Sequence, residues 1–193
     1  GLVVGSFLNV LILRLPRRML AELAEACADL RDEHAEPLPD RWFGRDFLIT
    51  PASTCPNCGH AIRAWENIPV LSYLLLRGRC SSCSTPIGLR YPVVEAVTGL
   101  LSLLVVVHFG PTVPAAAALV LLWGLVALTV IDLDEQLLPD QLTLPLVWLG
   151  LLVNVDGMFT DLSSAVIGAA SGYLSLWFVF QFFRRFTGRE GMG

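Results

Sequence analysis

Four acidic residues crowd into the ten positions IDLDEQLLPD (131–140): Asp132, Asp134, Glu135 and Asp140. They follow an almost uninterrupted apolar run over residues 113–131. A soluble helix has no reason to end this way. A membrane helix reaching water does, because ionisable groups inside a bilayer are costly and mark function. Two carboxylates a few ångströms apart cannot both ionise, so such a pair offers base and acid together for the attack of water on a peptide bond. Asp132, nearest the apolar run, is the candidate for one member, with Asp134 and Asp140 as supporting candidates. Asp134 points elsewhere if the helix continues, and Asp140 follows Pro139, where the chain is expected to turn back. On pattern alone, a solvated interfacial loop explains the four acids equally well.

The second chemical pattern is Cys55-Pro-Asn-Cys58 and Cys80-Ser-Ser-Cys83, two CxxC pairs separated by 21 residues. Two turns that each offer two thiolates build a closed tetrahedral site for zinc. Two disulfides or a redox dithiol are the alternatives, and both are disfavoured if the segment is cytoplasmic, where thiols stay reduced. His60 is close enough in sequence to replace one sulfur, although four already suffice. Cys27 reads as a small residue on a polar helix, and His34 and His108 have no partner at ligand spacing. Between the pairs, Trp65, Ile68, Leu71 and Leu74 are expected to pack over a small metal-stapled fold, which below about 70 residues needs such a staple. Glu66 and Asn67, polar in that stretch, are either ligand-binding or a solvated loop tip.

The elements that carry these groups are membrane helices. Of the 193 residues 54% are hydrophobic, and the mean hydropathy is +0.64, more apolar than soluble domains usually are. Apolar segments at 1–15, 92–109, 113–131, 142–155 and 165–183 predict an all-α polytopic membrane protein with about five transmembrane helices. The fourth is short and contains Pro145, so it is expected to tilt or to borrow residues from the acidic turn. Gly1/Gly5 and Gly168/Gly172 have the spacing that permits close helix approach, and also read as ordinary filler. The N-terminal apolar stretch lacks the flanks of a signal peptide.

The net charge of −4 decides little, but its distribution decides more. All 13 basic residues are arginine, ten of them from Arg14 to Arg90 and the others Arg184, Arg185 and Arg189. If the first helix exits into the cytoplasm, every arginine falls on that side and the outer loops at 110–112 and 156–161 have none, as the positive-inside rule asks. No basic patch with interleaved aromatics suggests nucleic acid. The expected organisation is a first membrane helix at 1–15, a cytoplasmic Cys-rich domain at 16–91 and a transmembrane domain at 92–193. Within the second, residues 20–31 have helical period and residues 37–51 read as loop. No internal repeat stands out.

The stretches GSFLNVLILRLP (5–16), CPNCGHAIRAWENIPVLSYLLLRGRCSSC (55–83), RYPVVE (90–95), IDLDEQLLPDQLTLP (131–145) and TGREGMG (187–193) together resemble the type IV prepilin peptidases. These are bifunctional leader peptidase and N-methyltransferase enzymes of pilus and type II secretion systems. The resemblance implies a multi-pass aspartyl endopeptidase of the bacterial inner membrane. It would cut the basic leader from type IV prepilins and pseudopilins after glycine, then methylate the new N-terminus with S-adenosylmethionine. The family's first active-site aspartate matches Asp132. Its second belongs to a GxGD motif shortly after the GREGMG-like stretch, so it is expected beyond Gly193. The chain opens on Gly and closes in a Gly-rich turn, and as a truncated piece it is expected to be inactive alone. The resemblance further associates Cys55, Cys58, Cys80 and Cys83 with structural metal. Glu95 matches RYPxVE, as an interfacial anchor or a residue shaping substrate entry. No glycine-rich nucleotide fold marks a site for the methyl donor. The rival from another class is a non-enzymatic zinc-binding membrane scaffold.

Overall fold

The computed structural model describes residues 1–30, 48 and 53–187. The expected loop at 37–51, Leu48 apart, and His34 and the GREGMG stretch (188–193) lie outside the described residues. Among the described residues six helices follow in order: α1 (Leu2–Leu30), α2 (Leu71–Leu75), α3 (Arg90–Phe109), α4 (Val113–Glu135), α5 (Asp140–Val153) and α6 (Leu162–Thr187), with a 3-10 turn at Ala64–Asn67. The only β pairing among the described residues is two isolated bridges in the Cys-rich segment. This is an all-α, multi-pass membrane architecture with a small four-cysteine insert.

α3 and α4 are apolar all round, as helices whose solvent is lipid must be. Local chemistry sets the ends of α4. Thr112 caps its first turn, the hydroxyl accepting from the Ala115 N–H at 3.4 Å. Gln136, in the left-handed region at φ 53°, returns its N–H to the Asp132 carbonyl and stops the helix. Among the described residues three helices, α3, α4 and α6, are long and apolar enough to cross a bilayer, so the expected count of about five is somewhat high. α5 does borrow residues from the acidic turn, starting at Asp140, yet runs only 14 residues, about 21 Å. The apolar stretch of α1 runs straight into Arg14, Arg17 and Arg18.

α1 continues without a break through Pro16 and on to Leu30, joining the first expected span to the expected helix at 20–31 in one rod of 29 residues. Pro16 removes one backbone hydrogen bond without ending the helix. Arg18 and Glu22, one turn apart, form an ion pair at 2.7 Å on its outer part.

α1 and α3 run antiparallel and nearly touch. A Cβ added to Gly1 would lie 2.8 Å from the Gly99 Cα, and one added to Gly5 would lie 2.7 Å from the Glu95 Cα. Asn9 continues the line, its amide donating to the Tyr91 carbonyl at 3.1 Å. A polar contact ties α4 to α3, the Trp123 indole donating to Ser102 Oγ at 2.9 Å, while Ser102 and Thr98 donate within α3 to backbone carbonyls one turn back. The core is Leu8, Ile12 and Leu15 of α1, Val94 of α3, and Ala127 and Ile131 of α4. α5 packs on α4, where Gly124 makes room for Leu146. α6 packs on α5 and buries none of its membrane window.

The two glycine pairs therefore differ. Gly5 is a close-approach residue, whereas Gly168 and Gly172 have no neighbour within 4 Å of an added Cβ among the described residues. Gly5→Val should push α1 from α3 and cost about 1–3 kcal/mol, read as a lowered midpoint in thermal unfolding in nanodiscs. Gly172→Val should leave the midpoint unchanged.

Candidate functional site

The cysteine centre is built from two copies of one turn. In the first, Cys55 N–H bonds the His60 carbonyl and Gly59 N–H the Cys55 carbonyl; in the second, Cys80 N–H bonds the Thr85 carbonyl and Ser84 N–H the Cys80 carbonyl. Each turn closes a single antiparallel bridge, Thr54 with Ala61 and Arg79 with Pro86. Every element of the first turn recurs 25 positions later (54 to 79, 55 to 80, 61 to 86). The sequence does contain a repeat, CxxC-x-x-x-Ile, hidden because only the cysteines and Ile62/Ile87 are shared. Gly59 takes its position at φ 69° freely, while Ser84 takes the equivalent one at φ 59° against its side chain.

The turns bring all four sulfurs within 4.8 Å of one another. Cys55 and Cys83 are 3.8 Å apart, Cys58 and Cys80 4.0 Å. Tetrahedral zinc with bonds of about 2.3 Å sets its sulfurs about 3.8 Å apart, so the geometry fits that ion. The thiols are not equivalent. The Thr85 hydroxyl and backbone N–H, with Asn57, bring Cys83 down to about 5. Cys55 is lowered by the backbone N–H groups of Cys58 and Asn57. Cys58 receives the His60 N–H, which lowers it, but desolvation and the neighbouring sulfurs outweigh this and raise it to about 11.

His60 is not in the sulfur cluster. Its Nε2 lies 3.3 Å from Glu66 Oε2 and 3.4 Å from Ser81 Oγ, linking the two turns from outside. Glu66 also accepts from the Arg63 N–H at 2.9 Å, and that bond first, with help from Ser81 and His60, holds its carboxyl below the usual range. Glu66 is thus turned inward rather than presented at a solvated tip. The expected packing of Trp65, Ile68, Leu71 and Leu74 over the metal fold does not occur, since all four are exposed. Four sulfurs and two short turns make too small a body to cover them.

The insert is instead tied to the membrane helices. Val70 has φ 60°, a costly conformation for a β-branched residue. Its N–H donates to Glu95 Oε2 at 2.8 Å. Glu95 is buried where α3 meets Gly5 of α1. Glu95→Ala should leave that N–H without its acceptor, a loss of about 1–3 kcal/mol. Amide exchange of Val70 should accelerate about tenfold or more at that cost, while Glu95→Gln, keeping an acceptor oxygen, stays near wild type.

At the same end of the bundle the acidic turn is fixed by its apolar residues. Pro139 is fully buried, and Leu137 and Leu142 pack on the core formed with α1. That leaves Asp132, Asp134, Glu135 and Asp140 exposed. Asp134 is ion-paired with Arg90 at the start of α3, a partnership invisible in the sequence because the two are 44 positions apart. Asp132, on the last turn of α4, has no side-chain partner among the described residues. Asp140 opens α5, where a negative charge suits the helix dipole.

Residues 1–109 match the family model described as the bacterial peptidase A24 N-terminal domain, and residues 119–193 the type IV leader peptidase family. Similar curated proteins carry the name prepilin leader peptidase/N-methyltransferase. The one from Pseudomonas aeruginosa is 54% identical over 197 residues, that from Stutzerimonas stutzeri 52% over 194, and one from Burkholderia pseudomallei 51% over 201. Each alignment covers 100% of this chain, which spans 65%, 65% and 62% of those relatives. No solved structure matches. With both halves matched in order, the chain belongs to the type IV leader peptidase family, peptidase A24, and carries its bacterial N-terminal domain.

Proposed function

We propose that this chain works within an aspartyl endopeptidase of the bacterial inner membrane. The enzyme removes the basic leader from type IV prepilins and pseudopilins after a glycine, then methylates the new N-terminal amine with S-adenosylmethionine. Asp132 is one of two catalytic carboxylates, and the other comes from sequence following Gly193. The observation that carries this reading is the division of labour in the acidic turn. Arg90 occupies Asp134, whereas Asp132 stands exposed on the last turn of α4 with no side-chain partner among the described residues. One carboxylate takes a proton from the attacking water and the other gives one to the scissile carbonyl oxygen. Collapse of the tetrahedral carbon then breaks the C–N bond as the first carboxyl passes the proton it took from water to the leaving amine and the second recovers one from the diol hydroxyl.

Cys55, Cys58, Cys80 and Cys83 would hold zinc through four thiolates, and the ion would supply structural stability to the two turns rather than chemistry. Glu95 acts through Val70, keeping the insert seated beside the acidic turn. The Cys-rich domain (16–91) and the acidic turn face the cytoplasm, and residues 92–193 belong to the membrane peptidase domain. Support comes from the arginines, ten of which fall between Arg14 and Arg90, while the connection at 110–112 at the other end of α3 and α4 has none. The exposed acids there favour encounter with a basic leader.

The test is cleavage of a synthetic prepilin in vesicles, followed by transfer of labelled methyl from S-adenosylmethionine. The protein extended past Gly193 should cut after glycine and then methylate, and residues 1–193 alone should not cut. Absence of both activities from the extended protein would favour the zinc-bearing scaffold.

A further inference from the structure

The link between the two cysteine turns carries its apolar side chains outward. Trp65, Ile68, Leu71, Leu74 and Leu75 are all exposed, Leu74 at 65% and Leu75 at 72%. A cluster of that kind on a water-facing module marks an interface. Its place in the fold indicates which one. Ser6 of α1 donates to Asn67 at 3.5 Å and Val70 donates to Glu95 of α3. Glu95 is five residues past Arg90, about 7.5 Å into the membrane helix, and its side chain leans back toward the start of α3. The segment therefore lies alongside the end of the bundle, within about one helical turn of it, rather than above it. At that level α3 itself exposes Val93 and Val97.

Charge points the same way. Arg63 precedes the segment and Arg77 and Arg79 follow it, all exposed, while Glu66, its one acid, is turned inward with a side chain 5% exposed. Apolar side chains flanked by arginines are what an anionic membrane surface takes up. We propose that residues 65–75 lie in the boundary between headgroups and acyl chains beside α1 and α3, with Arg63, Arg77 and Arg79 on anionic headgroups, so that the cysteine module is held down on the bilayer.

The test places the photo-reactive residue benzoylphenylalanine at Leu74 or Leu75 of the full-length protein, in vesicles of phosphatidylethanolamine and phosphatidylglycerol. Leu100, exposed on α3, and Ser81, on the second cysteine turn, are reference positions. Mass spectrometry should find lipid adducts at 74 and 75 at a level comparable to Leu100 and several-fold above Ser81. Adducts to residues 31–52, to the rest of the protein or to a second copy would overturn the proposal, as would a lipid yield no higher than at Ser81. Leu75→Glu, which puts a charge into the acyl boundary, should speed amide exchange across 71–76 several-fold in the same vesicles. Unchanged exchange would count equally against it. The lipid adducts should form as well in an Asp132→Asn protein, so this result is independent of the peptidase reading.

Discussion

Full-length protein carrying Asp132→Asn should cleave prepilin about 10³- to 10⁴-fold more slowly than wild type, the loss typical of removing a group that moves the proton in the transition state. Membrane insertion and metal content should not change, because Asp132 is exposed and supports no packing. The neighbouring acids supply the controls. Asp134→Asn breaks its pair with Arg90, both partners about one-third exposed. Pairs of that exposure contribute at most about 1 kcal/mol, so cleavage should stay within about tenfold of wild type. Asp140→Asn removes a favourable charge from the first turn of α5, about 0.3–1 kcal/mol, and should matter still less. If Asp132→Asn cut normally while Asp134→Asn did not, the assignment of roles within the turn would be reversed.

The second large effect is expected at the cysteines. Structural zinc contributes about 10–16 kcal/mol to small metal-folded peptides at neutral pH, and the module around Cys55–Cys83 has little apolar core of its own. Cys58→Ser should therefore release most of the zinc, measured by elemental analysis. Amide protection over 54–61 and 79–86 should go with it, while the helical circular dichroism of the membrane segments persists. The pH dependence comes from the unequal thiols. Near pH 7 Cys83, at about 5, is already a thiolate, whereas Cys58, at about 11, must lose its proton as the metal enters. Affinity measured by chelator competition should weaken as pH falls, and more steeply below about pH 5, where Cys83 also takes up a proton. A Cys58→Ser protein that kept its zinc across this range would remove the four-sulfur site.

The features legible in the sequence are those set by neighbouring residues. The apolar runs of α3, α4 and α6, the end of α4 at the acidic turn and the pairing of CxxC turns are all local patterns. The features that escape it depend on contacts across long separations. Nothing in RYPVVE says that Arg90 will pair with Asp134 or that Glu95 will accept from Val70. Composition also misplaces the 65–75 segment, since apolar residues beside a metal site read as its cover whether they face inward or outward. In the sequence Pro16 reads as the close of the first span, yet α1 runs through it, with Leu15 and Met19 on either side packed on the core. The repeat of the two turns is obscured because a serine fills the second left-handed position where glycine fills the first.

The unbroken course of α1 fixes the bearing of its far end, at Leu30, relative to the core. From Leu15 to Leu30 the rod advances about 22 Å, and each residue turns that end by about 100°. Deleting one residue in that interval would aim the exit of the chain a quarter-turn or more away while shortening it very little. Deleting seven would nearly restore the bearing and withdraw the exit by about 10 Å. Length variants there would thus separate a requirement for direction from one for reach.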